Sequence, residues 1–341
     1  MPAPTVGEIG EREVIRRIRG RLPAPPDWLT TPIGDDAAVV RPPRNRDEVL
    51  TTDVLVEGVH FDRAYVPPAA IGAKALAVNL SDLAAMGAEP RLALLSLILP
   101  ADTTVSDLDQ LVGGMLALAA RHGVTLAGGN VARSPGPLVV DLTAIGCVKP
   151  RDVLRRGGAK PGHEIYVSGS VGAARAGLLA LQAGNAAAGP HGADAGLEEV
   201  RERFLAPEPR VRLGVLLARN RVASACMDLS DGLADAVRGV AEASLAGAIL
   251  EADALPVTPA ARRVLEAAGL DPVMGAVEGG EDYELLFTVP RRRRRALASL
   301  LALVPGVPCT RIGTMTRERR IVLRREGVER ALPAGYTHFT G

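Results

Sequence analysis

Nine acidic residues of this chain lie in five short motifs that also contain glycine, serine or threonine. These motifs are Gly34-Asp35-Asp36, Thr51-Thr52-Asp53, Leu80-Ser81-Asp82, Asp228-Leu229-Ser230-Asp231 and Gly279-Gly280-Glu281-Asp282-Tyr283-Glu284. So many carboxylates beside apolar segments would repel one another unless cations neutralised them. The chain has only five histidines and three cysteines, so oxygen ligands predominate. Oxygen ligands suit Mg²⁺, which keeps coordination positions for water and phosphate, and the motifs therefore predict Mg²⁺-dependent phosphate chemistry.

Length and composition predict a two-domain globular protein. A chain of 341 residues exceeds the size at which a single hydrophobic core usually stops growing. Its 47% hydrophobic and 23% charged residues are typical of a folded globular protein. We expect domains at residues 1–150 and 151–341. The formal charge of +1 provides no broad electrostatic attraction to nucleic acid or to an anionic membrane.

Apolar segments and cysteine usage predict a cytoplasmic protein. The longest apolar run, Leu92–Leu99, is far shorter than the ~20 residues that a membrane-spanning helix needs. The first residues are rich in glutamate and lack the apolar segment of a secretory signal. The cysteines are Cys147, Cys226 and Cys309. Because they lie far apart and form no CxxC pair, we expect no disulfide framework.

Hydrophobic periodicity predicts a mixed α/β (α+β) fold in both halves of the chain. Helical spacing is found at Glu8–Ile18, Ile71–Met86 and Ser106–His122. Strands are predicted at Ala37–Val40, Glu48–Val54, Leu92–Leu99, Leu138–Val148, Glu164–Ser168 and Tyr283–Val289. The glycine- and alanine-rich stretch Gly184–Gly196 predicts a surface loop.

Local patterns suggest how individual acids are used. Leu-Ser-Asp occurs at residues 80–82 and 229–231, each time beside a helical run, which predicts that both Ser-Asp pairs begin a helix. Asp228 and Asp231 would share one face if both fell in a first helical turn. Asp35 and Asp36 are adjacent and point to opposite sides of an extended chain. Only one of them can easily face a shared ion, and the other could cap a turn or reach a second metal. Taken singly, aspartates at turns and helix starts are usually structural.

Several familiar catalytic motifs are absent from the sequence. It contains no GxxxxGK[ST], no strand-linked GxGxxG and no GxSxG. Gly128-Gly129-Asn130 follows a short strand-like segment, Thr125–Ala127, and favours either a backbone phosphate contact or a plain turn. The run Arg291–Arg295 follows a proline, and we interpret it as a solvated helix start.

Four stretches of the chain resemble the thiamine-monophosphate kinase family, in the family's order and across nearly the whole length. They are Ile33–Ala38, Thr52–Phe61, Lys74–Ala88 and Gly279–Leu285. The resemblance implies ATP-dependent phosphorylation of thiamine monophosphate to thiamine diphosphate with several Mg²⁺ ions. It implies an N-terminal α/β domain that binds ATP and Mg²⁺ and whose sheets join across a homodimer. A C-terminal α/β domain then closes the active-site cleft, and the partners are the two small substrates.

The resemblance also implies roles for particular residues. By position, the metal ligands are Asp36, Thr51, Thr52, Asp53, Asp82, Asn130, Asp228 and Asp231. The ATP contacts are Gly129, Asn130, Arg156 and Ser230. The residues near thiamine monophosphate are His60, Glu281 and Tyr336. On sequence grounds alone, His60 could instead hydrogen-bond its own loop.

The chemistry of the acceptor agrees with these assignments. A phosphate monoester has a second pKa of about 6, so the acceptor is already anionic near neutral pH and needs no strong general base. The obstacle is the approach of two polyanions, which metal ions and Arg156 would neutralise while aligning an in-line transfer. We expect direct transfer without a phosphorylated enzyme intermediate.

Two other readings compete with the kinase. The first is another ATPase of the same superfamily. Selenophosphate synthetase needs a reactive cysteine near the N-terminus, and the first cysteine here is Cys147. The hydrogenase-maturation protein needs a C-terminal cysteine, and this chain ends in His338-Phe339-Thr340-Gly341. Aminoimidazole ribonucleotide synthetase lacks the Gly-Gly-Glu-Asp-Tyr-Glu signature. A non-catalytic thiamine-phosphate-binding protein is the other reading, and only Asn130 favours it.

Asn130 stands where the family usually has an aspartate that binds metal. An amide keeps one oxygen for coordination but loses the negative charge. Either the remaining acids suffice and one Mg²⁺ is held less tightly, or the enzyme is catalytically weak. We favour the first explanation because every other acidic position of the pattern is filled.

We predict that Asn130→Asp lowers the Mg²⁺ concentration needed for half-maximal rate, because it restores a charged ligand. The measurement is the initial rate of thiamine diphosphate formation over a Mg²⁺ series at saturating substrates. An unchanged Mg²⁺ curve would count against a ligand role for this position.

Overall fold

The chain divides into two compact units, each with helices and strands, which confirms the predicted mixed α/β class. A computed structural model describes residues 3–184, 195–333 and 335. The first unit comprises residues up to Leu83 together with Glu89–Pro150. The second comprises Ala84–Ala88 and the residues from Arg151 onward. The chain therefore enters the second unit briefly at Ala84–Ala88 and is part of the first unit again from Glu89.

The first unit is built on a four-stranded sheet with helices. Its helices are α1 (Val6–Ile9), α2 (Glu11–Arg21), α3 (Pro68–Ala85, whose last two residues belong to the second unit) and α4 (Val105–His122). Its strands are β1 (Leu29–Thr31), β2 (Val39–Val40), β3 (Asp47–Val56), β4 (Glu89–Pro100), β5 (Thr125–Ser134) and β6 (Val139–Val148). The sheet has the order β3-β6-β4-β5, and β1 pairs with β2 separately. Only the β4–β5 pair is parallel within this sheet.

The two faces of the four-stranded sheet differ in exposure. Alternate residues such as Leu95, Leu97 and Leu142 are buried to within a few per cent. On the opposite face Leu50, Val54 and Leu94 remain 63%, 44% and 38% exposed. Because successive residues of a strand point to opposite faces, one face belongs to the core and the other is an open surface with apolar side chains.

Glycines allow α3 and α4 to pack closely. A Cβ on Gly72 would lie 1.9 Å from the carbonyl oxygen of Leu111, and one on Gly114 would lie 2.0 Å from that of Ala69. No side chain can be accommodated at such distances without moving the helices apart. Gly113, the neighbour of Gly114, meets only the Arg21 guanidinium at 3.8 Å.

The second unit contains a seven-stranded sheet of order β13-β12-β9-β11-β7-β10-β8. Its strands are β7 (Glu164–Ser168), β8 (Ala225–Asp228), β9 (Gly247–Glu251), β10 (Leu285–Val289), β11 (Cys309–Thr316), β12 (Ile321–Arg325) and β13 (Val328–Ala331). Its helices are α5 (Ala173–Gln182), α6 (Ala195–Leu205), α7 (Val211–Arg219), α8 (Leu233–Ala243), α9 (Pro259–Ala267), α10 (Pro272–Glu278) and α11 (Arg294–Leu301). All its strand pairs are antiparallel except β9–β12.

Strands β7, β10 and β8 form one end of this sheet and contribute to the second core. All five residues of β10 and all four of β8 are buried, as continuous apolar strands covered on both faces must be. Helix α8 buries its apolar stripe, which includes Leu233, Val237 and Val240, in the same cluster as strands β7 to β9.

Three simpler sequence predictions have direct outcomes. Arg291–Arg295 is exposed at the start of α11, which confirms the solvated helix start. The three cysteines are all free thiols. Among the described residues, no helix is both long and apolar enough to cross a membrane. Most of the stretch Gly184–Gly196 lies outside the described residues.

We predict opposite effects for two adjacent substitutions in α4. Gly113→Ala should stabilise the first unit by about 0.5–1 kcal/mol, because alanine loses less backbone entropy in a helix. Gly114→Ala should destabilise it by about 1–3 kcal/mol, because the new methyl group overlaps the Ala69 carbonyl. The measurement is the urea midpoint of each variant. Equal midpoints would show that the close crossing of α3 and α4 carries no stability.

Candidate active site

In the first unit the structure joins two of the acidic motifs. Thr51 lies on β3 and Asp82 lies in the last turns of α3, and the Thr51 hydroxyl donates to Asp82 Oδ2. The expectation that Ser81-Asp82 begins a helix is therefore wrong, because the helix starts at Pro68. Ser81 is fully buried instead of capping.

Strand alternation separates Thr52 from its neighbours. Thr51 and Asp53 are half-buried whereas Thr52 is exposed, since side chains of a strand alternate between faces. The Thr52 hydroxyl lies 3.3 Å from Asp141 Oδ1 and accepts a hydrogen bond of 3.1 Å from the Thr143 hydroxyl. Its hydroxyl therefore points away from the face on which Thr51 meets Asp82.

Asp35 and Asp36 divide their roles as their adjacency suggested. Asp35 Oδ1 accepts the main-chain N–H of Asp36 at 2.8 Å, so Asp35 stabilises its own turn. Both residues are exposed. Asp36 stays the predicted metal ligand of the pair.

Gly129 and Asn130 lie inside a strand and not at its end. The short strand predicted to stop at Ala127 extends to Ser134 as β5. Gly129 has φ 155°, and a Cβ there would lie 1.8 Å from the Leu95 carbonyl oxygen, so only glycine fits. Asn130 is exposed on the edge strand opposite β3. Since β6 and β4 lie between them, Asn130 is about 14 Å across the sheet from β3.

His60 makes the loop hydrogen bond that the sequence left open. Its Nδ1 accepts the main-chain N–H of Val56 at 3.1 Å, which requires Nδ1 to be unprotonated. This contact fixes the ring at the end of β3. The hydrogen bond at Nδ1 orients the ring, and it is compatible with a substrate contact through Nε2.

In the second unit two acidic loops are joined by main-chain hydrogen bonds. The first loop follows β8 and the second precedes β10. The bonds are Glu281 N to Ser230 O at 2.7 Å, Tyr283 N to Leu229 O at 2.9 Å and Leu229 N to Glu284 O at 2.9 Å. The glycines permit this approach, since a Cβ on Gly280 would lie 2.7 Å from the Ser230 carbonyl oxygen and one on Gly232 2.6 Å from that of Gly279.

Asp228 and Asp231 do not share a helical turn, so the condition for a shared helical face is not met. Asp228 is the last residue of β8 and is 3% exposed. Asp231 precedes the helix cap Gly232, and α8 begins at Leu233. The two carboxylates are therefore placed by a strand end and a turn.

Two residues of the second loop hold a left-handed backbone conformation. Glu281 has φ 67° and Tyr283 has φ 48°, which costs roughly 1–3 kcal/mol for each non-glycine residue. Such conformations persist only where the surroundings enforce them, and they are concentrated at functional sites. The hydrogen bonds to the β8 loop supply part of that enforcement.

Glu284 is a buried carboxylate with cationic partners on other elements. It is 0% exposed and accepts hydrogen bonds from Arg210 Nε at 2.6 Å, from Arg203 and from the Ser168 hydroxyl. Burial alone would raise the pKa of Glu284, but the Arg210 hydrogen bond and the charges of both arginines hold that pKa below its usual value. The side chain is thus an ionised anchor for the end of the loop.

Sequence reasoning missed Arg203, Arg210 and Ser168 as partners of the motif. They lie 81, 74 and 116 positions from Glu284, so no local spacing could reveal them. Of the other expected residues, Arg156 is exposed and Ser230 is half-buried. Tyr336 lies outside the described residues.

The donor atoms fit Mg²⁺ in kind. The expected ligands in both units are carboxylate, hydroxyl or amide oxygens, which are hard donors. Among the described residues, however, no group of three or more His, Cys, Asp or Glu side chains is arranged to hold a metal ion. Thr51 and Asp82 are one pair of expected ligands in direct contact.

Comparison with known proteins gives the family. The model described as AIR synthase related protein, N-terminal domain, matches residues 34–148, and the corresponding C-terminal domain matches residues 160–326. The thiamine-monophosphate kinase of Synechococcus elongatus is 37% identical, with 98% of each chain covered.

Two solved structures are similar over most of the chain. The thiamine-monophosphate kinase of Stenotrophomonas maltophilia has a TM-score of 0.79 and 38% identity, covering 92% of this chain and 95% of that one. AaThiL complexed with AMPPCP and TMP has a TM-score of 0.75 and 30% identity, covering 98% and 97%. The chain therefore belongs to the thiamine-monophosphate kinase family, within the AIR synthase related proteins.

Proposed function

We propose that this protein phosphorylates thiamine monophosphate with ATP to give thiamine diphosphate. The observation that carries the proposal is full-length similarity to thiamine-monophosphate kinases at 37–38% identity. The related AaThiL was solved with AMPPCP, an analogue of ATP, and TMP. The Gly279–Glu284 loop, with its enforced left-handed residues, supports a functional site in this chain.

We assign the proposed residues to two sets. In the first unit Asp36, Thr51, Thr52, Asp53, Asp82 and Asn130 would hold Mg²⁺, and Gly129 with Asn130 would contact ATP. In the second unit Asp228 and Asp231 would hold Mg²⁺, and Arg156 and Ser230 would contact ATP. His60, Glu281 and Tyr336 would contact thiamine monophosphate. Because the Thr52 hydroxyl points away from Thr51 and Asp82, its contribution beside them would come from the main chain.

The protein's part in the reaction is to bind and align two anions. Bound Mg²⁺ would neutralise phosphate charge as it develops. Arg156 would add a fixed positive charge, and Gly129 would contact ATP as the family resemblance implies. No side chain needs to remove a proton from the acceptor, whose phosphate is already anionic near neutral pH. We propose direct in-line transfer.

The test is turnover of ATP and thiamine monophosphate with Mg²⁺, following thiamine diphosphate and ADP together. We expect the two products in equal amounts. Substrate binding without product would support the alternative of a binding protein, and ADP formation independent of thiamine monophosphate would support another ATPase of the superfamily. Phosphate label on the protein after a single turnover would contradict direct transfer.

We further propose that the protein acts in the cytoplasm as a homodimer. Three free cysteines agree with a reducing compartment. The open sheet face with Leu50, Val54 and Leu94 is the surface that a second copy would cover. The sheet topology also supports a second copy as the partner. Asn130 and Asp53 are both proposed metal ligands, but they lie on the two opposite edge strands of one sheet. In a homodimer, one edge strand of one copy could lie beside the other edge strand of the second copy.

We predict that the protein sediments at twice its 35.5 kDa chain mass and that Leu94→Lys shifts it to the monomer. A charge on the covered face would be buried without a partner. Leu303→Lys is the matched control, since Leu303 is 51% exposed in the second unit. Sedimentation equilibrium decides the question, and a wild-type monomer or an unaffected Leu94→Lys dimer would contradict this interface.

A further inference from the structure

Asp282 lies between the two left-handed residues Glu281 and Tyr283 and is not used by the proposed reaction. Its side chain is only 2% exposed, so it cannot contact substrate in solution. A buried carboxylate requires hydrogen-bond donors. Those donors identify what the side chain does.

The carboxylate of Asp282 caps helix α5 from outside the helix. Oδ2 accepts the main-chain N–H of Gly172 at 2.6 Å, and Oδ1 accepts that of Ala174 at 3.0 Å. Gly172 is the N-cap residue and provides no side-chain cap of its own. The first N–H groups of a helix lack partners inside it and attract negative charge, so Asp282 satisfies donors that the local sequence leaves open.

Fixing Asp282 also fixes its neighbours in sequence. The backbone on either side is tied to the β8 loop through Glu281 N–Ser230 O and Tyr283 N–Leu229 O. Room for the loop is limited at the helix start too, because a Cβ on Gly172 would lie 2.8 Å from the Ala276 Cα. The loop is therefore held from two sides, by the β8 loop and by α5.

We propose that Asp282 is a positioning residue: by capping α5 it holds Glu281 in its left-handed conformation and so presents Glu281 to thiamine monophosphate. This inference rests on the proposed function for the role of Glu281. The effect of Asp282 on the backbone of Glu281 does not depend on the proposed function. It predicts that losing one acceptor oxygen of Asp282 loosens the backbone at Glu281.

Protonation weakens the same hold. An ionised Asp282 accepts both N–H groups, whereas a protonated carboxyl turns one oxygen into a donor. Burial raises the pKa of Asp282 to about 7, against the lowering effect of the Ala174 and Gly172 N–H groups. The charged groups that act on it are Arg203 and Glu284. The helix that it caps carries Arg175, paired with Glu278. Substrate affinity should fall as pH decreases through about 7.

Asp282→Asn tests the proposal, with Asp271→Asn as a matched control. Asp271 caps α10, but its Oδ1 alone accepts the N–H groups of both Val273 and Met274, so an asparagine there keeps both bonds. Helix α10 also leads directly into the loop. At position 282 the two N–H groups use different oxygens, and an asparagine amide has only one oxygen there, so one N–H loses its acceptor. Both variants retain the size of the side chain, so loss of folding is not expected in either.

The first readout is hydrogen exchange of peptides that cover residues 279–285, which requires no substrate. We expect faster exchange in Asp282→Asn and wild-type exchange in Asp271→Asn. The second readout is the calorimetric dissociation constant for thiamine monophosphate in the presence of AMPPCP and Mg²⁺. At pH 8 we expect it to rise about tenfold in Asp282→Asn, as for loss of a supporting hydrogen bond, and to stay within about twofold in the control.

A comparison between pH 8 and pH 6 isolates the carboxylate. The substrate phosphate titrates with a pKa of about 6 in every variant, so the difference between wild type and Asp282→Asn reports Asp282. We expect a smaller loss of affinity in the variant. Unchanged exchange and affinity in Asp282→Asn, or equal losses in both variants, would overturn the proposal. Absence of turnover in the wild type would instead overturn the proposed function. The hydrogen-exchange result would still show whether Asp282 restrains the backbone of residues 279–285.

Discussion

The buried carboxylate of Glu284 determines how the second unit presents its acidic loops. It gathers Arg203, Arg210 and the Ser168 hydroxyl around one point at the start of β10. Removing one partner of a buried ion pair typically costs about 3–5 kcal/mol. Because its folded-state pKa lies below the usual value, the stabilisation is present above the unfolded-state pKa and is lost as pH falls through the folded one.

The loop that Glu284 anchors, residues 279–284, has a strained backbone at the proposed substrate site. Glu281 and Tyr283 have positive φ, and Asp282 and Glu284 on the same four residues are buried acids with partners on other elements. Asp282, Tyr283 and Glu284 are all buried, whereas Glu281 remains half-buried. A rigid loop costs less entropy when substrate binds, which is the usual advantage of preorganisation.

The sequence allowed correct prediction of the fold class, several core strands and the family, because periodicity and motif order are properties of contiguous residues. Predictions that depended on element ends were less successful. Asp82 lies near the end of α3, where a helix start was expected. Strand β5 runs through Gly129 and Asn130, where a strand end was expected. Partners such as Arg210 and Glu284 meet only through tertiary structure, so no spacing rule could find them. The roles assigned to metal and substrate ligands remain predictions.

Exposure explains why position 130 can hold an amide in place of an acid. Asn130 is exposed in a single copy, on an edge strand, so an amide there leaves no buried partner within the chain unsatisfied. Asp228 and Glu284 are only 3% and 0% exposed, and a neutral residue there would leave buried partners unsatisfied. The same change from acid to amide therefore has different consequences at the two kinds of position. At position 130 it should weaken the hold on one ion, whereas at Glu284 it should disturb the loop itself.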